Sequence, residues 1–189
     1  MDGLADETLM ARIAEGDDGA FSTLVARHLD RAVRTAQRLL GDRSEAEDVA
    51  QDAFLKLWQH AARWRPEGGR FTTWFYRVVV NAAIDRLRRP RLAALDSAPE
   101  PADERENAYR DIHRAETAKA VASAMAELPE RQRTALTLCH YEELGNIEAA
   151  EVMGVSVGAL ESLLIRAKRA LRDRLASRMD DLVEEGHEA

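Results

Sequence analysis

Glu45-Ala-Glu-Asp48-Val-Ala-Gln51-Asp52-Ala-Phe54-Leu-Lys-Leu-Trp58 is followed, after a short Gly-Pro loop, by Phe71-Thr-Thr-Trp74-Phe-Tyr-Arg77-Val-Val-Val-Asn81-Ala-Ala-Ile-Asp85-Arg-Leu-Arg88-Arg89. In the first stretch Ala46, Val49, Ala50, Ala53, Phe54, Leu57 and Trp58 recur at three- and four-residue steps, which predicts a helix with one buried face. Asp48, Gln51, Asp52 and Lys56 then project from the other side. Taken alone, that polar side reads as a solvated face; beside its neighbour it suits docking on a protein. The second stretch predicts a helix from about Thr72 to Arg89, stopped by Pro90. Arg65-Pro-Glu-Gly-Gly69 between them is a loop. All three Trp (Trp58, Trp64 and Trp74) fall in this region, with Phe54, Phe71, Phe75 and Tyr76. Part of that set must be core. The rest lies beside Arg63, Arg65, Arg70 and Arg77, and aromatic faces next to guanidinium groups form a platform for flipped or single-stranded bases. Asn81, amid apolar neighbours, either satisfies a core polar contact or reads a base edge. Asp85 with Arg88 or Arg89 has the spacing of an ordinary helix ion pair.

Working outward, helical periodicity continues in both directions and no convincing strand is found. The expected class is all-α, with two small helical domains joined by a flexible linker and a helix-turn-helix in the second. Asp6 is expected to cap a short helix carrying Leu9, Met10 and Ile13 and ended by Gly16. Asp17 or Asp18 starts the next, with Phe21, Leu24, Val25, Leu29, Val33, Ala36 and Leu40 on one face and Gly41 at its end. Ser44 is expected to cap the helix that follows. The domain of residues 1–90 gives way to an acidic, Pro-containing linker at 91–107, which has little to bury. A second block spans 108–179: a helix over 108–126, Pro129 opening another that ends near Tyr141, a short helix over 147–153, and a long one from Val157 to about Met179. The acidic tail 180–189 is expected to fray.

A short helix, a turn at Gly154-Val155-Ser156 and a longer basic helix make a helix-turn-helix. Ala150 is small enough for close crossing, and Val155, Leu160 and Leu164 would pack the second helix on the first. Its first residues would face the major groove, and Arg166, Lys168, Arg169, Arg172 and Arg174 would lie near backbone phosphates. A helical hairpin with a solvated basic face is the plainer alternative.

The chain has 189 residues, 46% of them hydrophobic, enough for one ordinary domain or two small ones. No apolar run approaches the roughly 18 residues of a membrane helix. The acidic N-terminus lacks the regions of a signal peptide. The single Cys139 excludes an internal disulfide and any multi-Cys zinc site; a reducing cytoplasm is the simplest home. Cys139 beside His140 reads as a packed thiol and a surface imidazole, not as a metal site. The net charge of −7 argues against a nucleic-acid binder on its face. Its distribution matters more. Acids gather from Asp96 to Glu116 and from Asp180 to Glu188, while basic residues concentrate at Arg86–Arg91 and Arg166–Arg174, and local patches are what bind phosphate. There is no Gly-rich phosphate loop, nucleophile elbow or His-Glu metal motif, so an enzyme is not expected.

Taken together, Asp48-Val-Ala-Gln-Asp-Ala-Phe54, the Trp74…Asn81…Asp85…Arg88 spacing, Leu128-Pro-Glu-Arg131, Gly154-Val-Ser-Val-Gly158 and Arg166-Ala-Lys-Arg-Ala-Leu171 resemble an extracytoplasmic-function sigma factor. The resemblance covers nearly the whole chain, in order. It implies a promoter-specificity subunit of bacterial RNA polymerase with two helical domains, regions two and four. Asp48, Gln51 and Asp52 would dock on the clamp helices of the polymerase's largest subunit, and the polymerase's flap is a further implied contact. Trp64, Arg65, Arg70, Phe71, Trp74 and Asn81 would hold the melted −10 element with a base everted. Arg77, Arg86, Arg88 and Arg89 would hold its phosphates. Ser156, Gly158, Ala159, Glu161, Ser162, Arg166, Lys168 and Arg169 would meet the −35 element. The polymerase supplies the catalysis, so the resemblance implies no cofactor, metal or catalytic residue. An anti-sigma protein that covers both domains is the implied regulator.

The chain departs from the family pattern at Ala159-Leu-Glu161-Ser162-Leu163, where Glu161 and Leu163 stand in place of basic residues. Glu161 would repel phosphate, yet it could accept a hydrogen bond from a cytosine amino group. Ser162 and Arg166 are therefore expected to carry more of the anchoring. Two other readings compete. A conventional helix-turn-helix regulator would have no use for base-stacking side chains. A mimic that titrates an anti-sigma protein would have no reason to keep the basic runs.

Overall fold

The computed structural model describes residues 3–65, 70–88 and 108–185. Arg89, the Gly-Pro loop, the linker and the last tail residues lie outside them. Helices α1 (Asp6–Ala14), α2 (Asp18–Leu40), α3 (Arg43–His60) and α4 (Phe71–Arg88) make the first half, with a 3-10 turn at Ala61–Arg63 between α3 and α4. The second half holds α5 (Ala108–Ala126), α6 (Glu130–Leu136), a π turn at Thr137–Tyr141, α7 (Asn146–Met153) and α8 (Val157–Glu185). No strand occurs among the described residues.

The helix ends are set by side chains within reach of free backbone N–H groups. The Asp17 carboxylate accepts the Ala20 N–H at 2.9 Å, and Arg12 Nε donates to it at 2.8 Å. Those two donors hold its pKa below the ordinary carboxylate value. At the start of α3 the cap is Asp42, which accepts the Glu45 N–H at 2.9 Å, and not the expected Ser44. Asp6 also differs from expectation: it is the first helical residue, behind Ala5, and its carboxylate binds Arg27 and His28 on α2. Gly41 and Gly154 end their helices at φ +75° and +63°, a region open to glycine at little cost. A Cβ on Gly154 would meet nothing within 4 Å, so backbone conformation, not space, calls for glycine there.

Helix α2 packs against α3 and α4, and their core includes Leu24, Leu39, Val49, Phe54, Leu57, Phe71, Phe75, Val79 and Val80. Each such side chain contributes roughly 1.5–3 kcal/mol by leaving water. The buried side of α2 is Ala20, Leu24, Ala32, Thr35, Ala36 and Leu39 with Leu40, rotated from the expected one. Phe21, Val25 and Val33 sit at its edge, and Leu29 is exposed. In the second half Ala149, Ala150 and Val152 of α7 meet Leu160 and Leu164 of α8, closing the helix-turn-helix. Helix α8 runs on through Glu185, past the expected end near Met179. The halves touch: α4 packs on α7, and α2 on α5 and the π turn.

Candidate nucleic-acid interface

The 3-10 turn after α3 returns the chain to α4 and presents Trp64, whose N–H donates to the His60 carbonyl at 2.9 Å. Trp64 and Trp74 are half-buried and lean on Phe71, edge-on at 6.5 Å and tilted at 6.2 Å respectively. Phe71 itself is 0% exposed and lies parallel to Phe75 at 5.6 Å. It was expected to touch DNA; its place is in the core, underneath the two tryptophans. Burial of an aromatic ring contributes more than exposure of one, and the first turn of α4 directs Phe71 inward. Glu7 of α1 accepts the Phe71 N–H at 3.3 Å, a contact that sequence alone did not suggest.

Arg65 is exposed, and its guanidinium caps the carbonyls of Ala62 and Trp64 at 3.0 and 2.9 Å. Asn81 is exposed and lines a cleft of about 610 Å³ with Asp85, Arg88, Glu130 and Arg131. Of its two open alternatives, exposure removes the core polar contact. Arg86 is engaged within the fold. It bonds the carboxylate of Glu45 and, at 3.0 Å, that of Asp48, which ties α4 to α3. The Glu45 hydrogen bond comes first among the causes that raise its pKa.

Asp48, Gln51 and Asp52 are all exposed along α3. The same helix exposes Leu55 to 55% and Trp58 to 39%, although Trp58 belonged to the expected buried stripe. Phe21 at the edge of α2 supports the Trp58 ring at 5.0 Å, edge to face. Leu55 was missed because one leucine on a polar face carries no periodic signal.

On α8, Ser156 Oγ accepts the Ala159 N–H at 3.2 Å and so caps the helix. Gly158, Ala159, Glu161 and Ser162 are exposed on its first turns, with Arg166, Lys168 and Arg169 exposed beyond. Ser162 Oγ donates to the Gly158 carbonyl at 2.9 Å, and Glu161 accepts from Asn146 at 3.4 Å. Leu163 is half-buried, while Ile165 is 70% exposed on the same surface and was not anticipated. Cys139 is half-buried with its thiol pKa pushed up by that burial, against the pull of Lys168; His140 is exposed.

Three of the arginines on or beside α4 meet carboxylates of the second half. Arg70 pairs with Glu148 at 3.1 Å, Arg77 with Glu151 at 2.9 Å and Arg88 with Glu130 at 3.5 Å. Among the described residues Arg88 pairs with Glu130 and no ion pair links it to Asp85; Arg89, the other partner that the spacing offered, lies outside them. Among the described residues no cluster of His, Cys, Asp or Glu could hold a metal ion, and no helix is long and apolar enough to cross a membrane.

Residues 24–92 match the family model of sigma-70 region 2, and residues 118–171 that of sigma-70 region 4. The RNA polymerase sigma-H factor of Pseudomonas aeruginosa is 33% identical over 177 residues, 88% of this chain and 91% of that protein. The ECF RNA polymerase sigma-E factor of Escherichia coli is 30% identical over 183 residues, 91% of this chain and 95% of that protein. Among solved structures, CnrH in complex with the cytosolic domain of CnrY is 28% identical with a TM-score of 0.66. The match covers 94% of this chain and 99% of CnrH.

Proposed function

We infer, from a chain that belongs to the extracytoplasmic-function family of RNA polymerase sigma factors, that it binds core polymerase in the bacterial cytoplasm and directs promoter recognition and melting. One observation carries this reading. An exposed acidic helix face, an aromatic and arginine-rich helix and a helix-turn-helix follow one another in a single chain. Gln51 and Asp52, with exposed Leu55 and Trp58, form the surface for the polymerase's largest subunit; Asp48 flanks it while holding Arg86. Trp64, Trp74 and Asn81 receive unpaired bases of the −10 element, and Arg65, Arg70, Arg77 and Arg88 its phosphates. Base–aromatic stacking contributes about 1–3 kcal/mol per base, which offsets the few kcal/mol needed to unstack one. The first turns of α8 enter the major groove at the −35 element. The polymerase does the chemistry. A protein regulator is a further partner of this reading, supported by the likeness to CnrH, which was solved in complex with the cytosolic domain of CnrY.

The test is run-off transcription with purified core RNA polymerase and genomic fragments as templates. Transcripts that require this chain support the reading and map both promoter elements. Absence of transcripts, together with failure to co-elute with core polymerase, overturns it. Asp52→Lys should weaken co-elution with normal folding, because Asp52 is exposed and its side chain makes no hydrogen bond or ion pair among the described residues.

A further inference from the structure

The first turns of α8 hold no cation. Over residues 154–165 the one charged side chain is Glu161. Basic residues begin at Arg166 and continue, exposed, through Lys168, Arg169 and Arg172. The helix thus divides into a stretch that offers phosphate no cation and a stretch that offers it four.

In the first stretch the small polar groups are turned to their own backbone. Ser156 Oγ accepts the Ala159 N–H, and Ser162 Oγ donates to the Gly158 carbonyl. Glu161 differs from them. Asn146 Nδ2 of α7 donates to its Oε1 at 3.4 Å, and Oε2 has no hydrogen-bond partner among the described residues. Val157 and Ile165, one turn before it and one turn after, are 36% and 70% exposed. Residues four apart share a helix face, so the outward side presents a carboxylate between two branched apolar side chains.

That set suits base edges and not the backbone. A carboxylate only accepts hydrogen bonds, and it repels phosphate. Two base amino groups donate in the major groove, cytosine N4 and adenine N6. Adenine N6 is flanked by acceptors on both sides, its own N7 and O4 of the paired thymine. Cytosine N4 is flanked on one side only, by O6 of the paired guanine. A carboxylate therefore favours cytosine. The apolar group that a base pair shows in this groove is the thymine methyl, which suits Ile165. Four residues of helix rise about 6 Å, close to two base steps of roughly 3.4 Å.

We propose that Glu161 and Ile165 are specificity-determining residues of α8. Glu161 accepts from a cytosine amino group, and Ile165 packs on a thymine methyl about two base pairs away. The proposal rests on the placement of α8 in the major groove of promoter DNA.

The test incubates the full chain, with and without purified core RNA polymerase, with a pool of duplex DNA carrying a random segment, and sequences the DNA retained after repeated rounds. The parent should enrich a cytosine with a thymine about two positions away. Glu161→Gln should move the first preference from cytosine to adenine, and Glu161→Lys should move it to guanine. Each shift should be roughly tenfold in relative retention. Ile165→Ala should lose the thymine preference and keep the cytosine. Far-UV circular dichroism checks that each exposed-site variant retains its helix. A change in which base is preferred cannot come from net charge alone, which moves affinity for all sequences together. Unchanged base preferences in both Glu161 variants overturn the proposal and leave the polymerase reading standing. Preferences that follow Glu161 without any association with polymerase uphold the base readout and overturn the polymerase reading. A parent that enriches no duplex sequence in either setting overturns the proposal.

Discussion

Phe71→Ala separates a core role from a base-contacting one. The Phe71 ring stacks on Phe75, tilts against His28 at 5.3 Å and supports Trp64 and Trp74 from beneath. Truncation removes a fully buried ring from four aromatic neighbours at once. Phe→Ala in a core costs about 3–5 kcal/mol, and aromatic pairs add about 0.5–1.5 kcal/mol each beyond area, so the upper half of that range is expected. Phe71→Leu keeps most of the volume and should cost less than about 1.5 kcal/mol. Urea unfolding followed by tryptophan fluorescence reports on the first half, where all three Trp reside. With a slope of about 1.5–2 kcal/mol per molar urea, the alanine variant's midpoint falls by about 2–3 M. Asn81→Ala, at an exposed position, should stay within about 0.5 kcal/mol of the parent while promoter opening is lost. The reasoning is refuted if Phe71→Ala keeps the parent's midpoint and loses single-stranded DNA binding; that pattern belongs to a base platform.

Three further outcomes follow from the geometry. Arg86→Ala should cost up to about 1 kcal/mol by freeing α4 from Glu45 and Asp48, with oligonucleotide affinity unchanged; the reverse pattern in a melt and a binding titration would return Arg86 to the DNA. His28 is held below its ordinary pKa by burial, which outweighs the Asp6 carboxylate. The unfolded chain therefore takes the proton first, and stability is lost as pH falls through the ordinary value of about 6.5, levelling off below the folded-state pKa. His28→Gln should flatten that part of the pH–stability curve measured by urea unfolding. Arg166→Ala should weaken −35 duplex binding and reduce the slope of log affinity against log salt by about one, whereas Ser162→Ala should weaken binding with the salt slope unchanged.

Much of the fold was legible because its signals are local. Gly41 and Gly154 stop helices through backbone conformation, Pro129 opens one, and the α3 stripe from Ala46 to Leu57 is buried as spaced. The misses were also local, but they were competitions. Asp42 takes the cap from Ser44 because its carboxylate reaches the Glu45 N–H. On α2, counting large apolar residues favoured Phe21, Val25, Leu29 and Val33. Steps of four drift around a helix of 3.6 residues per turn, and the side that packs uses Ala20, Ala32, Thr35 and Ala36, whose small size admits close neighbours. Composition marked the aromatic cluster without dividing it. Which ring lies beneath and which above depends on the first turn of α4, where Phe71 is fixed inward.

The seam between the two halves was not legible, and its absence from sequence reasoning explains the charge puzzle. A net charge of −7 looks wrong for a promoter binder only if every carboxylate is free to repel phosphate. Glu130, Glu148 and Glu151 neutralise Arg88, Arg70 and Arg77, and Glu142 sits between Arg31 and Arg38. These partners are far apart along the chain, so neither helical spacing nor local charge runs reveal them. Arg166, Lys168 and Arg169 stay exposed on α8, so a basic surface remains although the chain is acidic overall. The acidity of the chain is thus compatible with local basic surfaces, because ion pairs between distant residues and the placement of the exposed arginines set the local field, which the sum over the sequence does not contain.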